Sequence, residues 1–208
     1  MTSGQPNKEL MLMNWPERVW IYSPVRVYFQ RLHAKKWLRF AGRQKPGLSL
    51  EIGCGLGKAA HFLVEEMGFE KVVAFDLEEK LIRRAARALP KAMGSRISYF
   101  VSDAQDLPFA DSAFDAVVNY GIIHHVLDWR KCVSEIGRVT KPGGIFYFEE
   151  IYPPLYANAI LKRLVRHPTE DRFHAPEFLA ALRTAGFSLM DGVNTRSKFG
   201  IVGTARRL

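Results

Sequence analysis

Three closely spaced glycines follow a short apolar run in the stretch LSLEIGCGLG, which covers residues 48–57. Gly53, Gly55 and Gly57 have no side chain to keep a ligand away from the backbone. The residues that follow have helical character, and the first turn of a helix presents N–H groups that can bind a ligand. An acid, Glu51, stands within the apolar run. These residue types predict a ligand-binding turn between a strand and a helix.

The spacing of the glycines distinguishes three kinds of ligand that such turns hold: nucleotide phosphates, dinucleotides and S-adenosylmethionine. A phosphate-binding P-loop requires G-x-x-x-x-G-K-[ST], but Ile52 and Ala59 occupy two of its required places. A dinucleotide-binding turn requires G-x-G-x-x-G, but Lys58 replaces its third glycine. The first alternative is excluded and the second is weakened. The pattern that fits the chain is E-x-G-x-G-x-G.

Strands alternate with helices on both sides of this turn, which predicts a mainly parallel sheet with helices on both faces. The pattern predicts strands at 48–52, 71–76, 96–101, 113–120 and 145–151, and helices at 58–68, 77–89 and 129–140. A Pro-Gly-Gly turn at 142–144 precedes the fifth strand. After a helix at 176–187, strands around 188–196 and 200–207 are too close for a crossover helix. They are therefore expected to form an antiparallel hairpin at one sheet edge.

Residues 1–45 differ from the rest because aromatic side chains are interleaved with Arg and Lys. From Val25 onward the pattern predicts a helix, with Pro24 in its first turn and Gly42 at its end. Such a helix can pack on the core, lie on a membrane or cover a substrate pocket. Packing on the core is the favoured interpretation. We predict a helical, aromatic lid extension at 1–45 and a main domain at 46–208.

Several stretches in order resemble the class I S-adenosylmethionine-dependent methyltransferases. The glycine motif matches the family's first motif, and Asp76 stands at the place of its ribose-binding acid. The segments SDAQDLPFADSAFDAVV (102–118) and NYGIIHHVLDWRKCVSEIGRVTKPGG (119–144) resemble the family's next two stretches. The likeness is dense over residues 47–150 and loose over the final hairpin. It implies a doubly wound, Rossmann-like, mostly parallel seven-stranded sheet with an antiparallel C-terminal hairpin strand.

The resemblance also implies S-adenosylmethionine as the cofactor and S-adenosylhomocysteine as the product. Methyl transfer from a sulfonium is an in-line displacement, so the enzyme must mainly align the reacting atoms. No metal is expected. The predicted cofactor-binding residues are Glu51, Gly53, Cys54, Gly55, Gly57, Asp76, Leu77, Asp103, Ala104, Asn119 and Tyr120. The candidate catalytic residues are His124, His125 and Tyr22.

Other polar residues receive structural interpretations beside functional ones. Glu149 and Glu150 end the fifth strand, where one of them could face the pocket rim and bind a substrate cation or a proton, but surface exposure is their default expectation. Arg172 and His174, together with Arg166 and His167, could bind an anionic substrate group or belong to a solvated loop. For the His124–His125 pair, support of the loop competes with general-base catalysis.

The composition, 48% hydrophobic and 25% charged, is that of an ordinary globular protein. No apolar run approaches the roughly 18 residues of a spanning helix, and no secretory signal is recognised. Two cysteines without metal-type spacing indicate a reducing compartment, so we expect a cytoplasmic protein or one peripheral at a membrane surface. The net charge of +9 favours contact with phosphates of an anionic membrane or of nucleic acid.

The favoured function is methyl transfer to a small-molecule or lipid-like acceptor. The alternatives are an RNA or protein methyltransferase and a non-catalytic partner with the same fold. Nucleic acid is less favoured because NYGI, at 119–122, lacks the Asn-Pro-Pro-aromatic tetrapeptide typical of amino-group methylation of bases. The acceptor atom and the oligomeric state stay open.

Overall fold

A computed structural model describes residues 11–42, 47–156, 168, 170–193 and 197–208. One sheet contains β1 (Leu48–Ile52), β2 (Lys71–Asp76), β3 (Ile97–Val101), β4 (Phe114–Tyr120), β5 (Thr140–Ile151), β6 (Phe187–Leu189) and β7 (Gly200–Arg207). The helices are α1 (Trp15–Ile21), α2 (Pro24–Ala41), α3 (Lys58–Glu65), α4 (Glu79–Ala88), α5 (Trp129–Val139), α6 (Pro153–Tyr156) and α7 (Ala175–Thr184). Short 3₁₀ turns lie at Lys91–Met93 and Ile123–His125.

The strand order is β3-β2-β1-β4-β5-β7-β6, which confirms the predicted fold class. β1 pairs in parallel with β2 on one side and with β4 on the other. The chain therefore leaves β1 toward one edge and later returns to build the other half of the sheet. Ligands of open α/β sheets bind beyond the carboxyl ends of the strands at such a reversal. The glycine turn, which follows β1 directly, lies at this place.

The C-terminal strands form the predicted antiparallel pair at the sheet edge. β7 pairs antiparallel with β5, and β6 pairs antiparallel with β7. β7, although it comes last in the chain, therefore lies between β5 and β6, and β6 forms the edge of the sheet. β6 is shorter than the strand predicted at 188–196, because the chain turns at Gly192, which has a left-handed φ of 85°. Residues 194–196 lie outside the described part.

The fifth strand begins earlier than the predicted 145–151. It starts at Thr140 and includes the Pro-Gly-Gly segment, which was predicted as a turn before the strand. Thr140 pairs with Phe114, whereas the next partners are Ile145 and Ala116. The additional residues on β5 therefore form an irregularity in the ladder. A bulge of this kind keeps both ends of the segment paired while it bends the strand.

Two apolar clusters cover the two faces of the sheet. One includes Trp129 of α5 and Phe178 of α7. The other includes Trp37 of α2 and Phe62 of α3. The indole N–H of Trp37 also donates to the backbone oxygen of Phe148 at 3.3 Å. One face of α2 therefore belongs to the core, as the packing interpretation predicted. The domain boundary at residue 45 stays a prediction, since 43–46 lie outside the described residues.

Among the described residues, none of the helices combines the length and the apolar character needed to span a bilayer.

Candidate functional site

The glycine turn has a left-handed backbone at all three of its glycines. The φ angles are 67° at Gly53, 55° at Gly55 and 72° at Gly57. A Cβ on Gly53 would overlap the side chain of Ile122, whereas one on Gly55 would meet nothing within 4 Å. Residues with a side chain adopt this backbone only with strain. The turn is therefore tightly packed at its first glycine and open toward the cleft at its second.

Tyr99 of β3 supports the turn from below, and sequence reasoning missed it. Its hydroxyl donates to the backbone oxygen of Gly57 at 3.0 Å, and its ring fills the space that a Cβ on Gly57 would need. Burial raises the pKa of this phenol far above its ordinary value, so the hydroxyl keeps its proton. No local signal in the sequence marks Tyr99, because it belongs to β3, which β2 separates from β1 and its glycine turn.

Asp76, at the carboxyl end of β2, lies beside the turn and lines the cleft. The backbone N–H of Gly55 donates to its Oδ2 at 2.9 Å, and that of Glu78 donates to its Oδ1 at 2.9 Å. Burial raises the pKa of Asp76 although these two hydrogen bonds act in the opposite direction. The carboxylate is thus fixed in orientation and retains lone pairs toward the cleft. Leu77 also lines the cleft.

Glu51 is buried beneath the turn with 1% of its surface exposed. Burial, together with the smaller effect of the nearby Asp76 charge, raises the pKa of this carboxyl to about 8. Within the described part of the chain, its Oε2 has no hydrogen-bond partner. A buried polar atom without a partner costs free energy. Its side chain does not line the cleft, so the predicted contact of Glu51 with the cofactor stays a prediction.

Cys54 and Ala104 line the cleft, whereas Asp103 is not among the cleft-lining residues. Burial raises the pKa of the Cys54 thiol well above its ordinary value, so the reactive thiolate is disfavoured. The small size of Cys54 therefore explains its place in the turn better than reactivity does. One oxygen of Asp103 accepts both the backbone N–H and the side-chain amide of Gln105 at 3.0 Å. Asp103 thus organises the loop that carries Ala104.

The end of β4 presents one residue to the cleft and buries the other. Tyr120 borders the cleft, while its ring packs against Trp37 with 4.8 Å between ring centroids. The side-chain amide of Asn119 donates to Glu150 at 2.7 Å, and its oxygen accepts the N–H of Ile122. Asn119 therefore shapes the loop after β4 and does not line the cleft.

The two histidines of this loop occupy different environments. His125 lines the cleft, whereas His124 is buried and its Nδ1 lies 2.7 Å from an oxygen of Glu150. Glu150 also accepts the backbone N–H of Ile123 at 2.7 Å. Surface exposure of Glu149 and Glu150 was the wrong expectation, because both carboxylates are buried by partners distant in sequence. Of the two candidate catalytic histidines, His125 therefore lies in the cleft, and His124 supports the loop through Glu150.

Glu149 connects α2 to the sheet. It forms an ion pair with Arg26 and a hydrogen bond with Nδ1 of His33, and Arg26 also donates to the backbone oxygen of Tyr120 at 2.7 Å. Burial by itself raises the pKa of Glu149, but the hydrogen bond with His33 and the charge of Arg26 outweigh it and lower the pKa. Arg26 lines the cleft. The cleft wall formed by α2 is therefore held by buried charges.

Tyr22 lies at the C-terminal end of α1 and lines the same cleft as the glycine turn. Its hydroxyl is buried and, among the described residues, has no hydrogen-bond partner. Burial raises the pKa of Tyr22. The helix is held to the end of β2 by a bidentate pair, in which Arg18 donates to Glu78 at 3.0 and 2.7 Å. The structure thus brings Tyr22 and His125 to one cleft with Asp76.

The loop before α7 has a structural role in the part that is described. Arg172 donates to the backbone oxygens of His124, Val126 and Leu127 at 2.9 to 3.2 Å. The backbone N–H of His174 donates to Glu177 at the start of α7. Arg166 and His167, the other two candidate anion-binding residues, lie outside the described residues.

Comparisons with known proteins agree with this geometry. The family described as "Methyltransferase domain" matches residues 50–148. The chain is 32% identical over 156 residues to a sterol 24-C-methyltransferase of Gibberella zeae, covering 70% of this chain and 41% of the relative. It is 30% identical over 162 residues to a phthiotriol/phenolphthiotriol dimycocerosates methyltransferase of Mycobacterium tuberculosis, covering 74% and 58%. The chain thus spans less than two thirds of these relatives.

A solved structure shows the same fold. An S-adenosylmethionine-dependent methyltransferase from Mesorhizobium loti superposes with a TM-score of 0.65 at 21% sequence identity. The superposition covers 86% of this chain and 96% of that one. At this identity the similarity speaks for the fold, while the family assignment depends on the matching sequence profile and relatives.

Proposed function

The chain belongs to the class I S-adenosylmethionine-dependent methyltransferases, and from that membership we propose that it methylates a small-molecule or lipid-like acceptor. The observation that carries the proposal is the cleft at the carboxyl ends of β1, β2 and β4. In it the open glycine turn, the oriented carboxylate of Asp76 and the cleft histidine face one space.

The residues present fit the family's cofactor, S-adenosylmethionine. We propose that the Asp76 carboxylate accepts hydrogen bonds from the two ribose hydroxyls, since its backbone partners leave lone pairs toward the cleft. Gly55 has no atoms within 4 Å of an added Cβ, so the backbone there can contact a ligand closely. Glu51, whose buried Oε2 has no partner among the described residues, orders the methionine part through water or backbone contacts. Ala104 and Leu77 contact the adenosine through apolar surface.

The bound cofactor supplies an activated methyl group on a sulfonium, so the protein's task is to orient the acceptor and exclude water. We propose that His125 accepts the proton of an acceptor that must lose one. Tyr22 also lines the cleft, where its ring attracts a cationic group and its hydroxyl, which has no partner among the described residues, can bind a polar one. His124 acts through position, since Glu150 holds its ring inside the loop. The product on the cofactor side is S-adenosylhomocysteine.

An apolar acceptor is supported by the cleft wall contributed by the N-terminal segment. Met11, Met13, Ile21 and Val27 line the cleft, together with Ile122 from the loop after β4. Methionine side chains adapt to apolar ligands of irregular shape. The two relatives named above are methyltransferases of a sterol and of dimycocerosates, which are lipids. We therefore propose an acceptor with a large apolar part.

The experiment measures cofactor binding by isothermal titration calorimetry, followed by transfer of a labelled methyl group to acceptors. The acceptor panel contains sterols, phospholipids, transfer RNA and a protein extract. We expect S-adenosylhomocysteine to bind and label to appear in the lipid fraction. Label in RNA or protein would replace the acceptor class with one of the alternatives. Absence of cofactor binding would leave the non-catalytic partner as the function.

A further inference from the structure

α2 carries apolar side chains on two different sides. Ala34 and Trp37 lie on the side that packs into the core. Val25, Tyr28, Phe29 and Leu32, which recur at intervals of three and four residues, lie on the opposite side and are exposed. Tyr28, for example, has 61% of its surface exposed. The apolar stripe visible in the sequence is therefore the outward face of the helix, not its packing face.

α1 extends this apolar surface. Trp15, Val19 and Trp20 are exposed, and Trp15 and Trp20 have 76% and 52% of their surfaces in solvent. Large aromatic side chains in this number are unusual on a surface that has no partner. We use the term outer face for the exposed apolar side chains of α1 and α2 together: Trp15, Val19, Trp20, Val25, Tyr28, Phe29 and Leu32.

Positive charge adjoins the outer face. The C-terminal half of α2 exposes Lys35, Lys36 and Arg39, which follow the same side of the helix after Leu32. The range Pro24–Ala41 contains no Asp or Glu, and the acid of α1, Glu17, is buried. The outer face thus joins apolar and aromatic side chains to a cationic end without an exposed acid. This arrangement is complementary to an anionic lipid surface, which offers an apolar interior below phosphate groups.

The same two helices line the cleft with their inner sides. Ile21, Tyr22, Arg26 and Val27 face the cleft, while the outer face lies on the other side of the same helices. We propose that the outer face of α1 and α2 docks the protein on an anionic lipid bilayer. Trp15, Trp20 and Tyr28 enter the headgroup region, and Lys35, Lys36 and Arg39 contact lipid phosphates. Docking keeps the cleft close to the membrane surface, separated from it by the two helices whose inner sides line the cleft. Only the purpose of this docking rests on the proposed lipid-like acceptor.

The test uses the full chain with unilamellar vesicles of phosphatidylcholine alone or of phosphatidylcholine mixed with phosphatidylglycerol. Sedimentation gives the bound fraction, and tryptophan emission reports insertion. We expect binding to the mixed vesicles that weakens as salt is added, because exposed charges are screened. We also expect a blue shift of the emission. Trp37 and Trp129 are already fully buried, so the shift reports Trp15 and Trp20.

Two sets of variants separate the apolar and the charged contributions. Trp15→Ser combined with Trp20→Ser and Phe29→Ser removes apolar contacts, and its matched control is Val101→Ser with Phe199→Ser, which are also exposed. Lys35→Gln with Lys36→Gln and Arg39→Gln removes charge, and its control is Lys80→Gln with Arg87→Gln and Lys91→Gln. We expect each outer-face set to weaken binding about tenfold or more, and each control to change it less than about twofold. Circular dichroism verifies that every variant is folded.

Equal binding of the outer-face variants and their controls overturns the proposal. So does a dimer that the apolar variant dissociates in sedimentation velocity, since a second copy would then cover the outer face. Cofactor binding and methyl transfer to a detergent-dispersed acceptor are measured on the same preparations. If these persist while vesicle binding is absent, the docking surface fails and the proposed function stands. If the protein binds vesicles but does not bind the cofactor, the docking surface stands and the proposed function fails.

Discussion

The backbone N–H of Gly55 donates to Oδ2 of Asp76 at 2.9 Å, which joins the turn after β1 to the end of β2. These two residues belong to different strand–helix units. Their contact aligns the open part of the glycine turn with the acid proposed to bind the ribose. Substitution of Asp76 therefore tests both the shape of the turn and the binding of the cofactor.

Asp76→Asn retains the size of the side chain but removes its charge. Hydrogen bonds to a charged group contribute about 1.5–3 kcal/mol each, so we expect S-adenosylhomocysteine to bind about 10- to 100-fold more weakly. Isothermal titration calorimetry measures the change. Glu79→Gln is the matched control, because Glu79 is exposed on α4 and contacts Arg83. Unchanged affinity of the Asp76 variant would reject its role in binding.

The raised pKa of Glu51 predicts a pH-dependent stability. The folded-state pKa of about 8 lies above the ordinary value of 4.5, so the folded protein retains a proton that the unfolded chain releases. This contribution to stability is complete below pH 4.5 and is lost as the pH rises through 8. The free energy of unfolding should fall by up to about 1.4 kcal/mol per pH unit in this range. Urea unfolding measures it.

Glu51→Gln removes that titration and should flatten the decrease between pH 5 and 8. An identical slope in the variant and the wild type would show that Glu51 is charged in the folded protein at neutral pH.

Arg26→Met should destabilise the protein strongly. Arg26 is 8% exposed and pairs with Glu149, and loss of one partner leaves a buried carboxylate without its charge partner. Such a loss costs about 3–5 kcal/mol, and Arg26→Met combined with Glu149→Leu should regain part of it. Urea unfolding gives both values. If the two single substitutions are additive in the double variant, the ion pair does not couple α2 to β5.

The lowered pKa of Glu149 has the opposite pH dependence to that of Glu51. Its contribution to stability is present above the ordinary value of 4.5 and is lost as the pH falls through the lower folded-state pKa. In the Glu149→Leu variant, the acid limb of the stability profile should therefore be less steep. A profile that keeps its full acid slope would assign the loss to other carboxylates.

His125→Asn should lower kcat if the ring of His125 accepts a proton from the acceptor. A positioned general base contributes typically about 10²- to 10⁴-fold. The pH profile of kcat/KM should also lose its acid limb. His61→Asn is the control, since His61 lies on α3 and does not line the cleft. If His125→Asn changes KM but not kcat or the pH profile, its role is limited to shaping the cleft.

The local chemistry of the site was accessible from the sequence. A strand, a glycine turn and a helix are adjacent in the chain, so E-x-G-x-G-x-G and the acid after the second strand identify the cleft before any contact is known. Parallel strands bring their carboxyl ends to one edge, which places Asp76 near Gly55. The lengths of the connections also predicted the sheet: helix-containing connections indicated parallel strands, and the short connection near the C-terminus indicated an antiparallel pair.

The tertiary structure alone decided which side chains are covered. Glu149 and Glu150 are typical surface residues by type, but Arg26 and His33 on α2 and His124 after β4 bury them. Their partners lie far away in the chain, so no spacing rule relates them. Tyr99 beneath the glycine turn is a case of the same kind.

The sequence by itself determined that residues 48–57 form a cofactor-type turn and that α2 carries an apolar stripe. It could not determine the direction in which the stripe points, because periodicity defines the faces of a helix but not which face is covered. In the folded protein Trp37 lies in the core, whereas Tyr28 and Phe29 are exposed. The Arg26–Glu149 ion pair helps to fix this orientation of α2, because it joins the inner side of the helix to β5. The helix thereby became a cleft wall on one side and an exposed apolar surface on the other.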